Sequence, residues 1–254
     1  MHVLITGASS GIGDAIAREF AGHGHSVSLV ARREKELQAL AASFSGPSFV
    51  RPADLSQPEV CEAVLTDCEE ALGPIDVLVN NAGIQYVEPT DGITIDRMRR
   101  LFEVDLLTPL ALIQGVLPSM IGRGAGHIVN VSSVAGITHT PGMCHYNGAK
   151  AGLAACSESL RVEVAPQGVH VLTVYPGPVR SPMEEAARGA FEESWATKYI
   201  PTGDAATLAK LIHKAVLRRE ERIVYPASYG LTRFTRVSSQ WFTDRLTPPV
   251  LKNK

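Results

Sequence analysis

A tyrosine and a lysine four residues apart form the clearest candidate for chemistry in the sequence. Tyr146 and Lys150 fall within a stretch of helical periodicity, so this spacing places both side chains on one helix face, about one turn apart. A phenol ordinarily has a pKa of about 10, and a neighbouring ammonium group favours the phenolate. The pair predicts a general acid or base that works near neutral pH. Packing of Tyr146 inside a helix is the structural alternative.

The opening stretch MHVLITGASSGIG allows two interpretations. As G-x-S-x-G it matches the nucleophile turn of a serine hydrolase, with Ser9 as the attacking residue. That turn normally follows a central strand and needs a histidine late in the chain. Only one strand precedes Ser9, and the late histidines His170 and His213 are not in suitable loops. The hydrolase interpretation is therefore disfavoured.

As G-x-x-x-G-x-G, the same stretch predicts a phosphate-binding turn between a strand and a helix. Gly7 permits a sharp exit from the strand, Gly11 leaves room for a pyrophosphate, and Gly13 lets the helix pack closely on the sheet. The helix N-terminus then presents N–H groups to the anion. Ser9 and Ser10 become hydrogen-bonding partners of phosphate or ribose. A plain tight turn is the alternative.

The elements that position these residues alternate along the chain. Continuous runs of Val, Ile and Leu predict seven strands, at HVLIT, SVSLVA, SFVRP, DVLVN, HIVNVSS, VHVLTVYP and RIVYP. Amphipathic stretches predict helices at 11–23, 33–44, 57–72, 91–121, 143–165 and 204–219. Strands without a polar face indicate a parallel sheet covered on both sides, and thus a doubly wound α/β fold. Two segments interrupt the alternation, 178–202 and the tail from residue 227 onward.

Four motifs in order along the chain resemble those of the short-chain dehydrogenase/reductase family. They are T-G-x-x-x-G-x-G at residues 6–13, N-N-A-G at 80–83, Ser133 with Tyr146-x-x-x-Lys150, and P-G at 176–177. The resemblance implies a single domain with a Rossmann-type, doubly wound parallel sheet flanked by helices. We expect residues 1–226 to form this domain and residues 227–254 to form a basic amphipathic tail.

The same resemblance assigns catalytic roles. Tyr146 is implied to be the acid or base and Lys150 its partner, and the family spacing selects Ser133, rather than Ser132, to hold the substrate oxygen. The family usually carries an asparagine where this chain has Asp105, and that asparagine helps to order a proton-relay water. An ionised Asp accepts hydrogen bonds but cannot donate them. Asp105 is therefore expected either to serve an altered relay or to accept from a neighbouring backbone N–H.

The residues after the second strand predict which dinucleotide binds. Members of the family that use NAD place an acidic residue there, whereas this chain has Ala31 followed by Arg32 and Arg33. A guanidinium group can pair with a 2′-phosphate that an acid would repel. NADP(H) is favoured over NAD(H), with Arg32 as the principal contact. Two solvated arginines at the start of a helix are the alternative.

The resemblance implies further cofactor contacts. Asp54 and Leu55 are expected to flank the adenine, and Val179 and Ser181 to meet the nicotinamide carboxamide. The complete predicted cofactor set comprises Gly7, Ser9, Ser10, Gly11, Ile12, Gly13, Arg32, Arg33, Asp54, Leu55, Asn81, Ala82, Gly83, Tyr146, Lys150, Pro176, Gly177, Val179 and Ser181.

Two segments suggest how substrate or partners bind. Phe191, Trp195 and Tyr199 recur every four residues within 178–202, which favours either an apolar substrate lid or packing against the body. The tail from residue 227 spaces apolar residues at three or four with arginines between them. Such a helix can lie on a membrane surface, cover another subunit or dock onto its own core.

Composition excludes several classes of function. The 254 residues carry a formal net charge of -2, so no broad positive field favours nucleic acid. The four cysteines show no zinc-binding spacing, which indicates free thiols, no metal site and a reducing compartment. No signal peptide and no apolar run of membrane-spanning length is recognised. We therefore expect a cytoplasmic protein that acts on a small molecule.

The sequence thus predicts an NADP(H)-dependent oxidoreductase that interconverts a ketone and a secondary alcohol, with a hydrophobic substrate. A non-catalytic NADP(H)-binding sensor and an interaction protein that acts through its tail are the alternatives. Relatives commonly form dimers or tetramers through the helix that bears Tyr146, so the resemblance implies a homodimer or homotetramer.

Overall fold

The computed structural model describes residues 1–192 and 200–251. Its centre is a seven-stranded sheet in the order β3-β2-β1-β4-β5-β6-β7, in which all neighbouring strands are parallel. The strands are β1 (His2–Thr6), β2 (Ser26–Ala31), β3 (Ser48–Pro52), β4 (Val77–Asn80), β5 (Gly126–Val131), β6 (Val169–Pro176) and β7 (Arg222–Tyr225). The predicted doubly wound parallel sheet is confirmed, and each strand lies where its apolar run predicts it.

Helices cover both faces of the sheet. They are α1 (Gly11–Gly22), α2 (Glu34–Ala41), α3 (Val60–Leu72), α4 (Ile95–Phe102), α5 (Thr108–Arg123), α6 (Cys144–Val164), α7 (Pro182–Gly189), α8 (Ala205–Arg218) and α9 (Arg236–Leu246). Helices α1, α2 and α8 pack one apolar layer on the sheet. Helices α3 and α5 pack the second layer on the opposite face. Because both faces are covered, the strands have no solvent-facing side on which polar residues would alternate.

The long stretch predicted as one helix at 91–121 is in fact divided. Thr94 caps α4 by accepting a hydrogen bond from the N–H of Arg97 at 3.4 Å, so the helix begins later than the apolar pattern indicates. A π-helical turn at Glu103–Leu107 then separates α4 from α5. Such a turn contains one more residue than a turn of α-helix, so the side chains on either side of it no longer follow the α-helical repeat. This turn carries Asp105, which lies fully buried.

Helix α7 lies in the segment where the sequence pattern predicted a break in the alternation. Its start has a recognisable signal, since the Ser181 hydroxyl accepts from the N–H of Glu184 at 3.2 Å and Pro182 occupies the first turn. Proline is favoured there because the missing N–H has no helical partner. Of the three aromatic residues in the predicted lid, Phe191 is described, and Trp195 and Tyr199 lie outside the described residues.

One helical stretch of the described chain, Ile95–Arg123, is long and apolar enough to cross a membrane by length and composition alone. The expectation that no run approaches that length was therefore too strict. The stretch comprises α4, the π-helical turn and α5. Nearly half of its most apolar part is buried within the fold, where α5 packs against α3.

Candidate active site

The site lies where the succession of strands reverses. Strand β1 pairs with β2 on one side and with β4 on the other, which opens a crevice at their carboxyl ends. The chain leaves β1 through Gly7 and enters α1 at Gly11, with φ values of 69° and 59° that favour glycine. A Cβ atom on Gly13 would overlap the carbonyl oxygen of Gly7. The turn therefore brings bare backbone to the crevice and packs closely behind it.

The first turn of α1 points its N–H groups toward this crevice. Ser10 precedes the helix in an extended conformation, and its side chain makes no capping hydrogen bond. Without that cap, the N-terminal N–H groups and the positive end of the helix dipole are available to an anion. This geometry fits the pyrophosphate of a dinucleotide.

Thr6 ties the glycine turn to the segment after β4. Its hydroxyl accepts hydrogen bonds from the N–H groups of Asn81 and Ala82, both at 3.0 Å, and donates to the Val79 carbonyl at 3.2 Å. The Asn81 side chain in turn donates to the Thr6 carbonyl at 2.9 Å. The sequence predicted Asn81 as a cofactor contact and gave Thr6 no role. In the structure the Asn81 amide holds the turn in shape.

Tyr146 and Lys150 lie on one face of α6, as their spacing predicts. The Lys150 Nζ atom is 5.8 Å from the centre of the Tyr146 ring, and the Ser133 hydroxyl, which donates to the Pro176 carbonyl at 3.3 Å, lies near enough to the phenol to influence its pKa. Ser133 follows β5, whose carboxyl end faces the same crevice. The neighbouring Ser132 instead donates to the Lys150 carbonyl at 2.7 Å. The structure thus places Ser133, rather than Ser132, with the pair.

The pKa of Tyr146 departs from the sequence expectation. Burial raises the pKa of the phenol above its ordinary value and Asp105 adds to that rise, whereas Lys150 and the nearby Ser133 hydroxyl oppose it. Lys150 therefore acts on this pKa in the predicted direction, but burial outweighs it in the protein alone, so the net pKa is raised. The reason is that Tyr146 lies almost entirely in low-dielectric surroundings, where the neutral phenol is favoured.

Asp105 lies behind Lys150, outside the crevice itself. One carboxylate oxygen accepts from the N–H of Ile84 at 2.7 Å, and the other is 3.2 Å from the Lys150 Nζ atom. A Cβ on Gly83 would lie 3.1 Å from the second oxygen, so the glycine makes room for this contact. Of the two predicted roles, the structure shows the acceptor for a backbone N–H. It adds an ion pair that the sequence did not predict.

Both partners of this ion pair have shifted pKa values. Burial lowers the pKa of Lys150, but Asp105 and Tyr146 outweigh it, so the net pKa is raised. Burial raises the pKa of Asp105, against the opposing effects of Lys150 and the Ile84 N–H. Lys150 also donates to the Val131 carbonyl at 3.2 Å. Lys150 therefore stays an ammonium group beside the phenol.

A buried polar chain fixes α6 to the sheet beneath the site. The Asn80 side chain donates to Asn130 at 2.9 Å, and Asn130 donates to the Ser157 hydroxyl at 2.8 Å. These residues join β4, β5 and α6, and paired buried polar groups of this kind fix one arrangement of the elements. Sequence analysis missed Asn130 and Ser157. The two asparagines occupy matching positions on neighbouring strands, which was the available signal.

The crevice is a cleft of about 860 Å³. Every predicted site residue lines it except Gly13 and Asp105, which lie directly behind its wall. The glycine turn is at one side of the cleft, and Ser133, Tyr146 and Lys150 are at its centre. A single cavity therefore connects a candidate phosphate-binding turn with a candidate proton-transfer group.

Two arginines and an aspartate form the end of the cleft after β2 and β3. Arg33 donates to the Ser9 hydroxyl at 3.0 Å and to its carbonyl at 3.1 Å. Partial burial opposes the charged form of Asp54, but hydrogen bonds from Ser56, with nearby Arg100 and Arg32, lower its pKa. Arg33 is thus engaged with the glycine turn, while the exposed Arg32 is placed to meet a ligand.

The opposite end of the cleft is apolar. Side chains from α6, α7 and the tail surround it, among them Met143, Met183, Phe191, Tyr229, Phe242 and Leu246. Sequence analysis singled out Phe191 and missed the others, which come from segments far apart in the chain. This end adjoins the Tyr146 phenol, so a carbonyl compound with an apolar body fits the cleft.

The tail docks on the body beside the cleft. His139 donates its N–H to Gln240 at 2.6 Å and accepts from the same amide group at 2.8 Å. The N–H of Leu251 donates to the Ala190 carbonyl at 2.9 Å. One face of the tail therefore docks onto the core of the protein, which is one of the three arrangements predicted for the tail. Phe234 and Val237 are each 87% exposed on the other face.

Comparisons with known proteins agree with this geometry. Residues 1–190 match the family model described as short chain dehydrogenase. A fatty acyl-CoA reductase of Mycobacterium tuberculosis is 33% identical over 247 residues, which cover 94% of this chain and 81% of the relative. A D-beta-hydroxybutyrate dehydrogenase of Rhizobium meliloti is 33% identical over 187 residues, 72% of each chain.

A solved structure shares the complete fold. The short-chain dehydrogenase from Sphingobium yanoikuyae in complex with NADPH superposes with a TM-score of 0.82 at 28% identity and covers 100% of this chain and 98% of its own. The family match spans the glycine turn, the N-N-A-G segment and α6 with Tyr146 and Lys150. The chain belongs to the short-chain dehydrogenase/reductase family and is an oxidoreductase of that family.

Proposed function

We propose that the protein is an NADP(H)-dependent oxidoreductase that interconverts a ketone and a secondary alcohol on an apolar substrate. The observation that carries this proposal is the shared cleft, in which the Tyr146 phenol, with Lys150 and Ser133 beside it, adjoins the glycine turn. A bound nicotinamide would supply or accept the hydride. The residues of the chain position the substrate oxygen and move the proton.

In the direction of reduction, the substrate carbonyl oxygen accepts hydrogen bonds from the Ser133 and Tyr146 hydroxyls. The phenol donates its proton to that oxygen as hydride reaches the carbonyl carbon, and Tyr146 becomes a phenolate. The Lys150 ammonium stabilises this phenolate, because its own raised pKa keeps it charged. The raised pKa of Tyr146 keeps the phenol protonated beforehand, as a proton donor in the direction of reduction must be.

The decisive experiment is an activity screen. Ketones and alcohols of graded size are incubated with NADPH or NADP⁺ and turnover is followed by the nicotinamide absorbance. Turnover of an apolar ketone supports the proposal. Binding of NADPH without turnover of any compound would instead support a non-catalytic NADP(H)-binding sensor. The specific observation that favours a sensor is Asp105, which stands where the family usually has an asparagine.

Preference for NADP(H) is supported by the charge at the adenosine end of the cleft. Arg32 is exposed at this end, and Arg33 contacts Ser9. Arg32 follows the last residue of β2 directly, so no acidic residue lies between the strand and the two arginines. The similar Sphingobium yanoikuyae structure contains NADPH. A 2′-phosphate therefore has a guanidinium partner here, whereas a free ribose hydroxyl has no carboxylate at this position.

Replacing Arg32 with Ala tests this preference. We expect KM for NADPH to rise about tenfold to a hundredfold, as for loss of a hydrogen bond to a charged group, with little change in KM for NADH. Steady-state kinetics with both dinucleotides give the comparison. Arg99→Ala is the matched control, because that side chain is 74% exposed and lies outside the cleft lining. Equal effects on both dinucleotides would contradict the assigned contact.

An apolar substrate is supported by the cleft walls around Met143, Phe191 and Leu246. The Mycobacterium tuberculosis relative is named for fatty acyl-CoA, which has a long alkyl chain, whereas the Rhizobium meliloti relative is named for the small hydroxybutyrate. Because both relatives are 33% identical to the chain, their names do not decide between a large and a small substrate. The choice therefore rests on the cleft walls. They favour the larger apolar compound.

Removing one apolar wall residue tests this substrate class. We expect Phe242→Ala to raise KM about tenfold for long-chain ketones, because it removes part of the buried apolar contact, and to leave KM for acetone-sized ketones unchanged. Phe234→Ala is the control, since Phe234 is 87% exposed and lies outside the cleft lining. A similar KM change for small and large ketones would count against the apolar site.

The proposal includes a reducing compartment, the cytoplasm, and assembly as a homodimer or homotetramer. Free thiols at all four cysteines, two of them exposed, support the compartment. The exposed Val162 on α6 supports association through that helix. The exposed tail residues Phe234 and Val237 leave a second option, contact with a membrane surface.

A further inference from the structure

Three histidines and a glutamate meet where the end of α1 packs against α8, far along α1 from the glycine turn. Glu19 and His23 lie at the end of α1, His25 follows before β2, and His213 projects from α8. The Glu19 Oε1 atom is 3.6 Å from His23 Nδ1 and 3.9 Å from His213 Nδ1. One donor atom from each of Glu19, His23 and His213 lies within 4.8 Å of the others.

These spacings suit a single coordinated ion. Zinc binds imidazole nitrogen and carboxylate oxygen at about 2.0 to 2.2 Å, so ligand atoms on a tetrahedral ion lie about 3.3 to 3.6 Å apart. The Glu19 distances need a contraction of only a few tenths of an ångström. His23 now donates from Nδ1 to the Glu19 carbonyl at 2.8 Å, and its half-exposed ring stacks on the His213 ring with centroids 4.1 Å apart, so the ring has to turn out of this hydrogen bond to bind an ion.

His25 prepares His213 for this role. The Nε2 atoms of the two rings are 3.4 Å apart, a contact that is favourable when one nitrogen carries the proton and the other accepts. If His213 donates from Nε2, its Nδ1 lone pair points toward Glu19. Metal-bound histidines are typically oriented by such a hydrogen bond on the second ring nitrogen. Phe20 packs edge-on against the His213 ring, with centroids 4.9 Å apart, and holds it in place.

We propose that Glu19, His23 and His213 form a binding site for a divalent transition-metal ion, with Zn²⁺ the best fit and a water as the fourth ligand. The chemistry of the donors sets the class of ion, because imidazole with one carboxylate suits Zn²⁺, Co²⁺, Ni²⁺ and Cu²⁺ rather than Mg²⁺ or Ca²⁺. His25 is a positioning residue. The bound ion clamps the end of α1 to α8 and so stabilises the helix whose first turn faces the cleft.

The test uses full-length protein without tag histidines, in a Cys144→Ser/Cys156→Ser background that removes the exposed thiols. Titration with Zn²⁺ is followed by calorimetry and Tm, and titration with Co²⁺ by its visible absorption, which reports the coordination geometry. We expect one ion per chain, a raised Tm, a tetrahedral Co²⁺ spectrum and no response to Mg²⁺.

Glu19→Gln and His23→Gln should each abolish the Co²⁺ spectrum, and His25→Gln should weaken Zn²⁺ binding about tenfold to a hundredfold. The first two change a half-exposed and a partly exposed side chain, so the fold should persist, and circular dichroism checks this. His170→Gln, which removes a histidine from β6, should have no effect. Failure of Zn²⁺ to bind, or binding that survives both Glu19→Gln and His23→Gln, would overturn the proposal.

Discussion

Replacement of Tyr146 by Phe is expected to lower kcat for ketone reduction about 10² to 10⁴ fold, the usual contribution of a positioned general acid. The variant loses one oxygen atom at the centre of the cleft and keeps the ring that packs in the apolar cluster around it. Cofactor binding should persist, because the glycine turn is untouched. Steady-state turnover, with NADPH binding measured separately by fluorescence, separates the two effects.

Tyr175→Phe is the matched control for this prediction. Tyr175 is also a buried tyrosine, its hydroxyl donates to Glu158 at 3.1 Å, and it lies outside the cleft lining. Its loss should reduce stability slightly and leave kcat unchanged. If Tyr146→Phe retained most of its turnover, another group would have to supply the proton, and the proposed mechanism would be wrong.

Replacement of Lys150 by Met is expected to lower the free energy of unfolding by about 3 to 5 kcal/mol. The cause is Asp105, whose fully buried carboxylate loses its ammonium partner at 3.2 Å and, within the described part of the chain, keeps only the N–H of Ile84. Turnover should fall as well, because the ammonium group that stabilises the Tyr146 phenolate is lost. Urea denaturation measures the first effect and NADPH oxidation the second.

A second substitution separates the two effects. Lys150→Met/Asp105→Asn should recover much of the lost stability, because it removes the unpaired carboxylate, but should not recover turnover. If the double variant were no more stable than Lys150→Met, the ion pair would not be the cause of the loss.

The pH dependence of the single variant follows from the same argument. Without Lys150, the pKa of Asp105 should rise further above its ordinary value of 3.8, since burial then acts with less opposition. A carboxyl whose pKa is raised in the folded state contributes stability in its protonated form. That contribution is complete below the ordinary pKa and is lost as pH rises through the raised value. Lys150→Met should therefore be less stable at neutral pH than in mild acid.

The strands and the main site were predictable because each depends on local sequence. A buried parallel strand is a continuous apolar run, and the glycine turn and the Tyr146–Lys150 spacing are short patterns with fixed geometry. Helix α7 was missed, although Ser181 and Pro182 carry a start signal, because Met183 is the one large apolar residue between Pro182 and Gly189. The division of 91–121 was missed because a π-helical turn has no simple sequence pattern.

What the sequence could not predict depends on contacts between distant residues. The ion pair of Asp105 with Lys150 joins the π-helical turn to α6, and Gln240 meets His139 across 101 positions of sequence. The raised pKa of Tyr146 results from burial, which no spacing of residues encodes. Sequence spacing singled out Tyr146 and Lys150, and packing determined the proton affinity of the proposed acid.

The origin of the cleft walls has an evolutionary consequence. The family match ends at residue 190, and it includes the glycine turn, Ser133, Tyr146 and Lys150. Tyr229, Phe242 and Leu246, which enclose the apolar end, all come from later in the chain. Mutations in that later part can therefore reshape the apolar end of the cleft while the proposed proton-transfer residues stay unchanged. Gene duplicates that diverge only in this last quarter would acquire new substrates without having to reinvent the reaction.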